Sequence, residues 1–202
     1  IDYIDFPIST GKEGNVFRGV CNKRLIAIKI YRINTSTFRS LSKYLMYDPP
    51  EKIKFDRRNI IFAWAKKEFG NLKKLYEVGV RVPEPIAVEK NVIVMEYIGS
   101  KARAAPLLKD ANIKDAEEIF EKIKEYLKIM YHKAKLVHAD FSEYNILVHR
   151  NKPVIIDVGQ TVKRDNPMAI EFLRRDVYNI VKFFRKFINL NEEEIISYIM
   201  EE

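Results

Sequence analysis

The hydrophobic pattern changes period part-way along the chain, and this constrains the fold more than any other feature. In the first half, Leu25, Ala27, Lys29 and Tyr31 alternate with Ile26, Ile28 and Ile30, which is the period of a strand. Val16 to Val20 reads as a second strand, and Ile86–Val88 and Val92–Tyr97 read as a hairpin around the polar turn Glu89–Asn91. Between these pairs, Ile61, Trp64, Ala65, Leu72, Leu75 and Tyr76 recur at helical spacing, predicting an amphipathic helix of about five turns. Residues 32–57, with the break Asp48-Pro49-Pro50, read as a long loop. Helical spacing dominates the second half. Ile119, Ile123, Leu127, Met130 and Ala134 share one face, and a helix from about Pro167, capped by Asn166, buries Ile170, Leu173, Val177, Ile180, Phe184 and Phe187. Ile146–Val148 and Val154–Ile156 form a short strand pair, and a last helix follows Asn191 with Glu194 placed as in a capping box. A strand-rich half followed by a helix-rich half, joined near residues 97–106, predicts an α+β architecture.

Composition narrows the function classes. No apolar run reaches the roughly 18 to 20 residues of a membrane span, so no membrane association and a cytoplasmic location are expected. A single cysteine, Cys21, excludes an internal disulfide and a multi-cysteine metal site, and it reads as a structural thiol. The net charge of +8 suits a phosphate-bearing partner, a nucleotide or RNA, although a Lys- and Glu-rich surface also fits a heat-adapted source.

Chemistry concentrates in Leu136–Val148, LVHADFSEYNILV, and Val154–Gln160, VIIDVGQ. Asp140 and Asn145 lie on a polar loop between a buried helix and a strand, and Asp157 ends the next strand. Phosphoryl transfer needs one carboxylate to orient the attacking hydroxyl, and an Asn with a second carboxylate to hold metal against phosphates. Mg²⁺ takes few protein oxygens beside phosphate and water, so no full cage is required. Singly, each of these residues is an ordinary turn or strand-end residue. A second constellation is Lys29 with Glu68, charges at positions patterned for apolar side chains, where an ion pair offsets burial and fixes the ammonium for phosphate oxygens. The competing reading is a snorkelling lysine and a rim glutamate. A third, weak on its own, is the turn Ser9–Val16, STGKEGNV, in which Ser9 and Lys12 would cover phosphates; it lacks the Gly-Lys-Ser/Thr of a Walker loop. His138 reads as a structural residue supporting the loop or the Asp157 region, and His132 and His149 as surface residues.

In order along the chain, STGKEGNVF at 9–17, AIKIYR at 27–32, WAKKEFGNL at 64–72, VMEYIG at 94–99, LVHADFSEYNIL at 136–147 and IIDVGQTV at 155–162 resemble the RIO family of atypical protein kinases, type-1 subfamily. The resemblance implies a two-lobed protein-kinase-like fold over 1–202, with an antiparallel sheet and helix in 1–96, a hinge at 97–100 and a reduced, mainly helical lobe in 101–202. It implies that Lys29 contacts phosphates and pairs with Glu68, and that Glu96 and Ile98, beside Met95, bind adenine through their backbone. Asp140 would be the catalytic aspartate. Asn145 and Asp157 would hold Mg²⁺ or Mn²⁺, and Asp157 would also accept phosphate as an aspartyl-phosphate. The implied activity is ATP-dependent protein serine/threonine phosphorylation, autophosphorylation or ATP hydrolysis. The implied partner is the maturing small ribosomal subunit with its RNA.

Two departures from ordinary protein kinases stand out. Only 45 residues follow Asp157, short of a long activation segment and peptide-binding helices, and Ser142 stands where a lysine is usual. A nucleotide-gated binding switch with little kinase activity and a small-molecule kinase are therefore the alternatives.

Overall fold

The structure, a computed structural model, describes residues 1–11, 14–33 and 56–202. Lys12 and positions 34–55 of the long loop lie outside the described residues. The chain divides into two compact units, 1–73 with 83–104, and 74–82 with 105–202.

The first unit is built on a five-stranded antiparallel sheet in the order β1-β2-β3-β5-β4. Its strands are β1 (Tyr3–Thr10), β2 (Gly14–Cys21), β3 (Arg24–Tyr31), β4 (Pro85–Glu89) and β5 (Val92–Glu96). β3 is central because its residues are apolar on both faces. Ile26 and Ile28 on one face and Tyr31 on the other are each 1% exposed, and Ile93 of β5 and Ile61, Trp64, Ala65 and Leu72 of helix α1 (Arg57–Glu77) are buried as well. The predicted stripe on α1 is buried as far as Leu75, whereas Tyr76 is 46% exposed, because a 3.6-residue period rotates it off the stripe. The residues read as the Ser9–Val16 turn instead belong mostly to strands. β1 runs through Ser9, which pairs with Val16, and Gly11 donates its amide to Gly14. Strand β1 escapes the alternation test because it is an edge strand with Ile1, Tyr3 and Ile4 exposed.

In the second unit, α2 (Ala116–Ile129) is capped by Asp115, whose carboxylate accepts from the Glu118 amide, and continues into a π-turn, Met130–Ala134. Lys135 then turns the chain with φ 55°. Two small antiparallel ribbons follow: β6 (Leu136–Val137) with β9 (Val162–Lys163), and β7 (Ile146–His149) with β8 (Lys152–Ile155). The β7–β8 turn places Arg150 and Asn151 at φ 53° and 60°, the twist a tight hairpin needs.

Helices α3 (Ala169–Phe184) and α4 (Glu192–Met200) complete the core, where Phe120 meets Phe184 edge-on at 5.3 Å. Two expectations for α3 change. It begins at Ala169 rather than Pro167, because Asn166 closes a preceding turn by accepting the Met168 amide. Ile170 and Phe187 are 39% and 47% exposed, at the two ends of the face rather than in it. Asn191 does cap α4, accepting from the Glu193 amide, while its side-chain amide donates to Glu194. His132 is half-buried, not a surface residue, with Nε2 2.8 Å from the Ile199 carbonyl. Cys21 and His149 are also half-buried.

Candidate functional site

In the first unit, the sheet and α1 together hold the Lys29 ammonium. Lys29 Nζ donates to Glu68 Oε1 at 2.8 Å, the two side chains being 13% and 2% exposed. The Tyr31 hydroxyl donates to the other oxygen, Oε2, and the Tyr31 ring lies 5.0 Å from the ammonium. Lys29 and Tyr31 both reach α1 because they are two apart on β3 and so share a face. A carboxylate this deeply buried is tolerated only with donors on it, and the pair keeps the ammonium at the end of a fixed tether. The predicted adenine strap lies in the same unit. Met95 pairs with Ala27 and Glu96 with Ile26, the Glu96 amide donates to Glu84 O at 2.8 Å, and Ile98 is 5% exposed. Ser9 is exposed on β1.

In the second unit, three polar side chains gather at the ends of β6, β7 and β8. Asn145 precedes β7 and donates from Nδ2 to the Asp140 backbone oxygen at 2.7 Å and to Asp140 Oδ2 at 3.2 Å. The Asn145 carbonyl accepts the Ile156 amide at 2.9 Å, which brings the exit of β8, and so Asp157, beside Asn145. Asp140 and Asp157 are exposed.

Both flanks of this group adopt left-handed backbone, Ala139 at φ 66° and Asp157 at φ 59°. Aspartate enters that region readily; for alanine the cost is about 1 kcal/mol or more. The loop is held there from below. Asp176 of α3, 0% exposed, accepts the Ala139 amide at 2.8 Å and the Phe141 amide at 2.9 Å, one on each oxygen. Arg175 and Asn179 donate to the carbonyls of the same two residues, at 2.5 and 3.2 Å. Asp140 is therefore clamped on both sides.

Burial pushes the Asp176 carboxyl up to about 7, outweighing the two amides and the Arg175 charge. His138, 1% exposed, moves the other way. Burial lowers it to about 4 despite the nearby Asp157 charge, so the ring is neutral and packs edge-on to Phe141, with Nε2 3.4 Å from the Ile156 carbonyl.

The family model for the RIO domain matches residues 15–195. This chain belongs to the RIO family. The RIO chain is 45% identical over 188 residues to the RIO-type serine/threonine-protein kinase Rio1 of Haloferax volcanii, covering 92% of itself and 64% of that relative. It is 43% identical to the Rio1 of Thermoplasma acidophilum, covering 91% of itself and 98% of the relative, and 40% identical to serine/threonine-protein kinase RIO1 of Homo sapiens, of which it spans 34%. Among solved structures, the Rio2 kinase of Chaetomium thermophilum in a complex with ADP, Mg²⁺ and phosphoaspartate matches with a TM-score of 0.73 at 24% identity. That match covers 98% of this chain and 62% of the other. The fold is thus the α+β protein-kinase-like fold.

Within the RIO domain, sequence reasoning missed Asp176 and Tyr31. Asp176 had the same signal as Glu68, a carboxylate inside an apolar helical stripe between Leu173, Val177 and Ile180. Tyr31 carries no such signal, since its place in the alternation with Leu25, Ala27 and Lys29 is that of an ordinary strand residue. Among the described residues no group of three or more His, Cys, Asp and Glu is placed to hold a metal, and no helix is long and apolar enough to cross a membrane.

Proposed function

We propose that this RIO domain is an ATP- and divalent-metal-dependent phosphoryl-transfer enzyme, an atypical serine/threonine kinase with ATPase activity. The observation that carries this reading is the Asp140–Asn145 hydrogen bond, with Asp157 brought alongside by the Asn145–Ile156 backbone bond. The donor set fits a hard cation. The Asn145 amide spends its NH₂ on Asp140, which leaves Oδ1 as a ligand oxygen, and Asp157 adds an exposed carboxylate. Two such oxygens, completed by phosphate and water, suit Mg²⁺ or Mn²⁺. A bound metal of this kind neutralises and aligns phosphate oxygens during transfer.

The chain's own residues have separate tasks. Asp140 orients the acceptor hydroxyl and takes its proton, while Asn145 donates to its Oδ2. Lys29, fixed by Glu68 and aided by Ser9 and Lys12, engages nucleotide phosphates, and the backbone of Glu96 and Ile98 beside Met95 reads adenine. The acceptor is a protein Ser or Thr, water, or the carboxylate of Asp157. The phosphoaspartate in the Rio2 kinase complex supports the last.

The test is phosphate release and protein labelling from γ-labelled ATP, with wild type against Asp140→Ala. Equal rates sink the reading. Label that hydroxylamine removes sits on a carboxylate, whereas label that survives it sits on Ser or Thr.

A second reading, a cytoplasmic nucleotide-gated switch on the pre-ribosomal small subunit, has one observation in its favour. Acidic and basic residues balance one for one in the second unit, so the whole net charge of +8 belongs to the first. A polyanion such as RNA would dock there. On this reading, a variant that binds ATP but cannot turn it over stays on precursor particles; prompt release counts against the switch.

A further inference from the structure

Arg18 lies in the middle of β2, opposite Ala27 of β3 and so on the sheet face that also carries Lys29. Its side chain is only 12% exposed, and all three guanidinium nitrogens are engaged. Nε donates to Asp5 Oδ2 at 2.8 Å, Nη2 donates to the same oxygen, and Nη1 donates to the Lys101 carbonyl at 2.6 Å. The guanidinium carbon lies over the Phe6 ring, 4.2 Å from its centroid, and 5.8 Å from the centroid of the Tyr97 ring.

Two local features aim these partners at Arg18. The β1–β2 register slips between Ile4 and Pro7, so Asp5 and Phe6 form the irregular stretch of β1, and such bulges redirect side chains. On the other side, Ser100 donates its amide to Arg103 O at 2.9 Å and Gly99 bridges to Ala104, closing a small turn that presents the Lys101 carbonyl. Tyr97 and Ile98, 7% and 5% exposed, lie between that turn and the end of β5.

We propose that Arg18 is a positioning residue for base recognition, locking the 97–101 strap to the β1 bulge so that the backbone of Glu96 and Ile98 meets adenine at hydrogen-bonding distance. The proposal rests on the nucleotide reading above. It goes beyond that reading by placing base selectivity under the control of a side chain that touches no nucleotide. A planar guanidinium suits the task because it can bond two partners in fixed directions while stacking on a ring; a lysine ammonium cannot. Adenine offers a donor, the exocyclic amine, and an acceptor, the neighbouring ring nitrogen, on either side of one carbon, whereas guanine presents an acceptor and a donor at the same two places. A strap held for adenine therefore leaves unpaired groups against guanine, and a loosened strap loses that discrimination.

The experiment measures dissociation constants of ADP and GDP, with Mg²⁺, for the whole chain as wild type, Arg18→Gln, Arg18→Lys and Asp5→Asn. Thermal melts run alongside to confirm that each is folded. The expected result is a wild-type preference for ADP. Arg18→Gln should lose tenfold or more in ADP affinity and less than threefold in GDP affinity, with the other two variants showing the same pattern at smaller size. Equal losses for both nucleotides, no loss in any folded variant, or a wild type without base preference would each overturn the proposal while leaving nucleotide binding intact. A wild type that binds neither nucleotide overturns the functional reading and this proposal together.

Discussion

Asp176→Asn tests how the 138–141 loop is held, and its signature is a change in pH dependence. The Asn side chain keeps the shape of the carboxyl but offers one oxygen where two amides, from Ala139 and Phe141, are accepted. One buried N–H then faces an NH₂ group, at a cost of about 1–3 kcal/mol. Folding raises the carboxyl from 3.8 to about 7 and lowers the His138 imidazole from 6.5 to about 4. The raised acid contributes stability that is full below pH 3.8 and fades as the pH climbs to about 7. The depressed base contributes stability that is full above pH 6.5 and fades as the pH falls to about 4. The two slopes oppose each other across the same window, each worth about 3 to 4 kcal/mol in all, so in the wild type they largely cancel. Removing the acid exposes the base. Asp176→Asn should lose stability steadily as the pH falls from 6.5 to 4, where the wild type changes little. Urea unfolding followed by far-ultraviolet circular dichroism, which reports the helices of the second unit, at half-unit steps across that range, reads the effect. Parallel curves for the two proteins would refute the reasoning. Turnover should also fall by about 100-fold, since Asp140 sits between the two clamped amides and a displacement of about 1 Å costs that much.

Two further substitutions probe the first unit. Tyr31→Phe removes a donor from the buried Glu68 carboxylate and should cost about 1–3 kcal/mol in denaturant unfolding; a shift within error would mean that the hydroxyl bond contributes nothing. Gly14→Ala would place a Cβ 2.5 Å from the Ile30 carbonyl oxygen, which is backbone and cannot swing aside. The β2–β3 pairing must widen there, and a loss of about 2 kcal/mol, a fall in Tm of roughly 4–8 °C, is expected from calorimetry. An unchanged melt would mean that the two strands are less closely apposed at Gly14.

Residues whose role is written in local pattern were legible without coordinates. Lys29 and Glu68 announce themselves as charges at apolar positions, and the structure pairs them at 2.8 Å because a charge there has no other tolerable state. Asp140 and Asn145 are five apart on one loop, so their hydrogen bond is a local matter. The strand and helix periods, the Asn191 cap and the α+β order follow from side-chain chemistry within a few residues. Strand β1 was not legible, since an edge strand with exposed Tyr3 and Ile4 has no buried face to impose alternation. The supports of the site were also hidden. Arg18 meets Lys101 across 83 positions, and Asp176 meets Ala139 and Phe141 across 37 and 35. No window of sequence contains both partners of such contacts, and each side chain taken alone has an ordinary local explanation. The sequence by itself determined which charged and polar groups break the local pattern; only the tertiary structure decided what holds them in place, because positioning depends on pairs that the chain brings together only by folding.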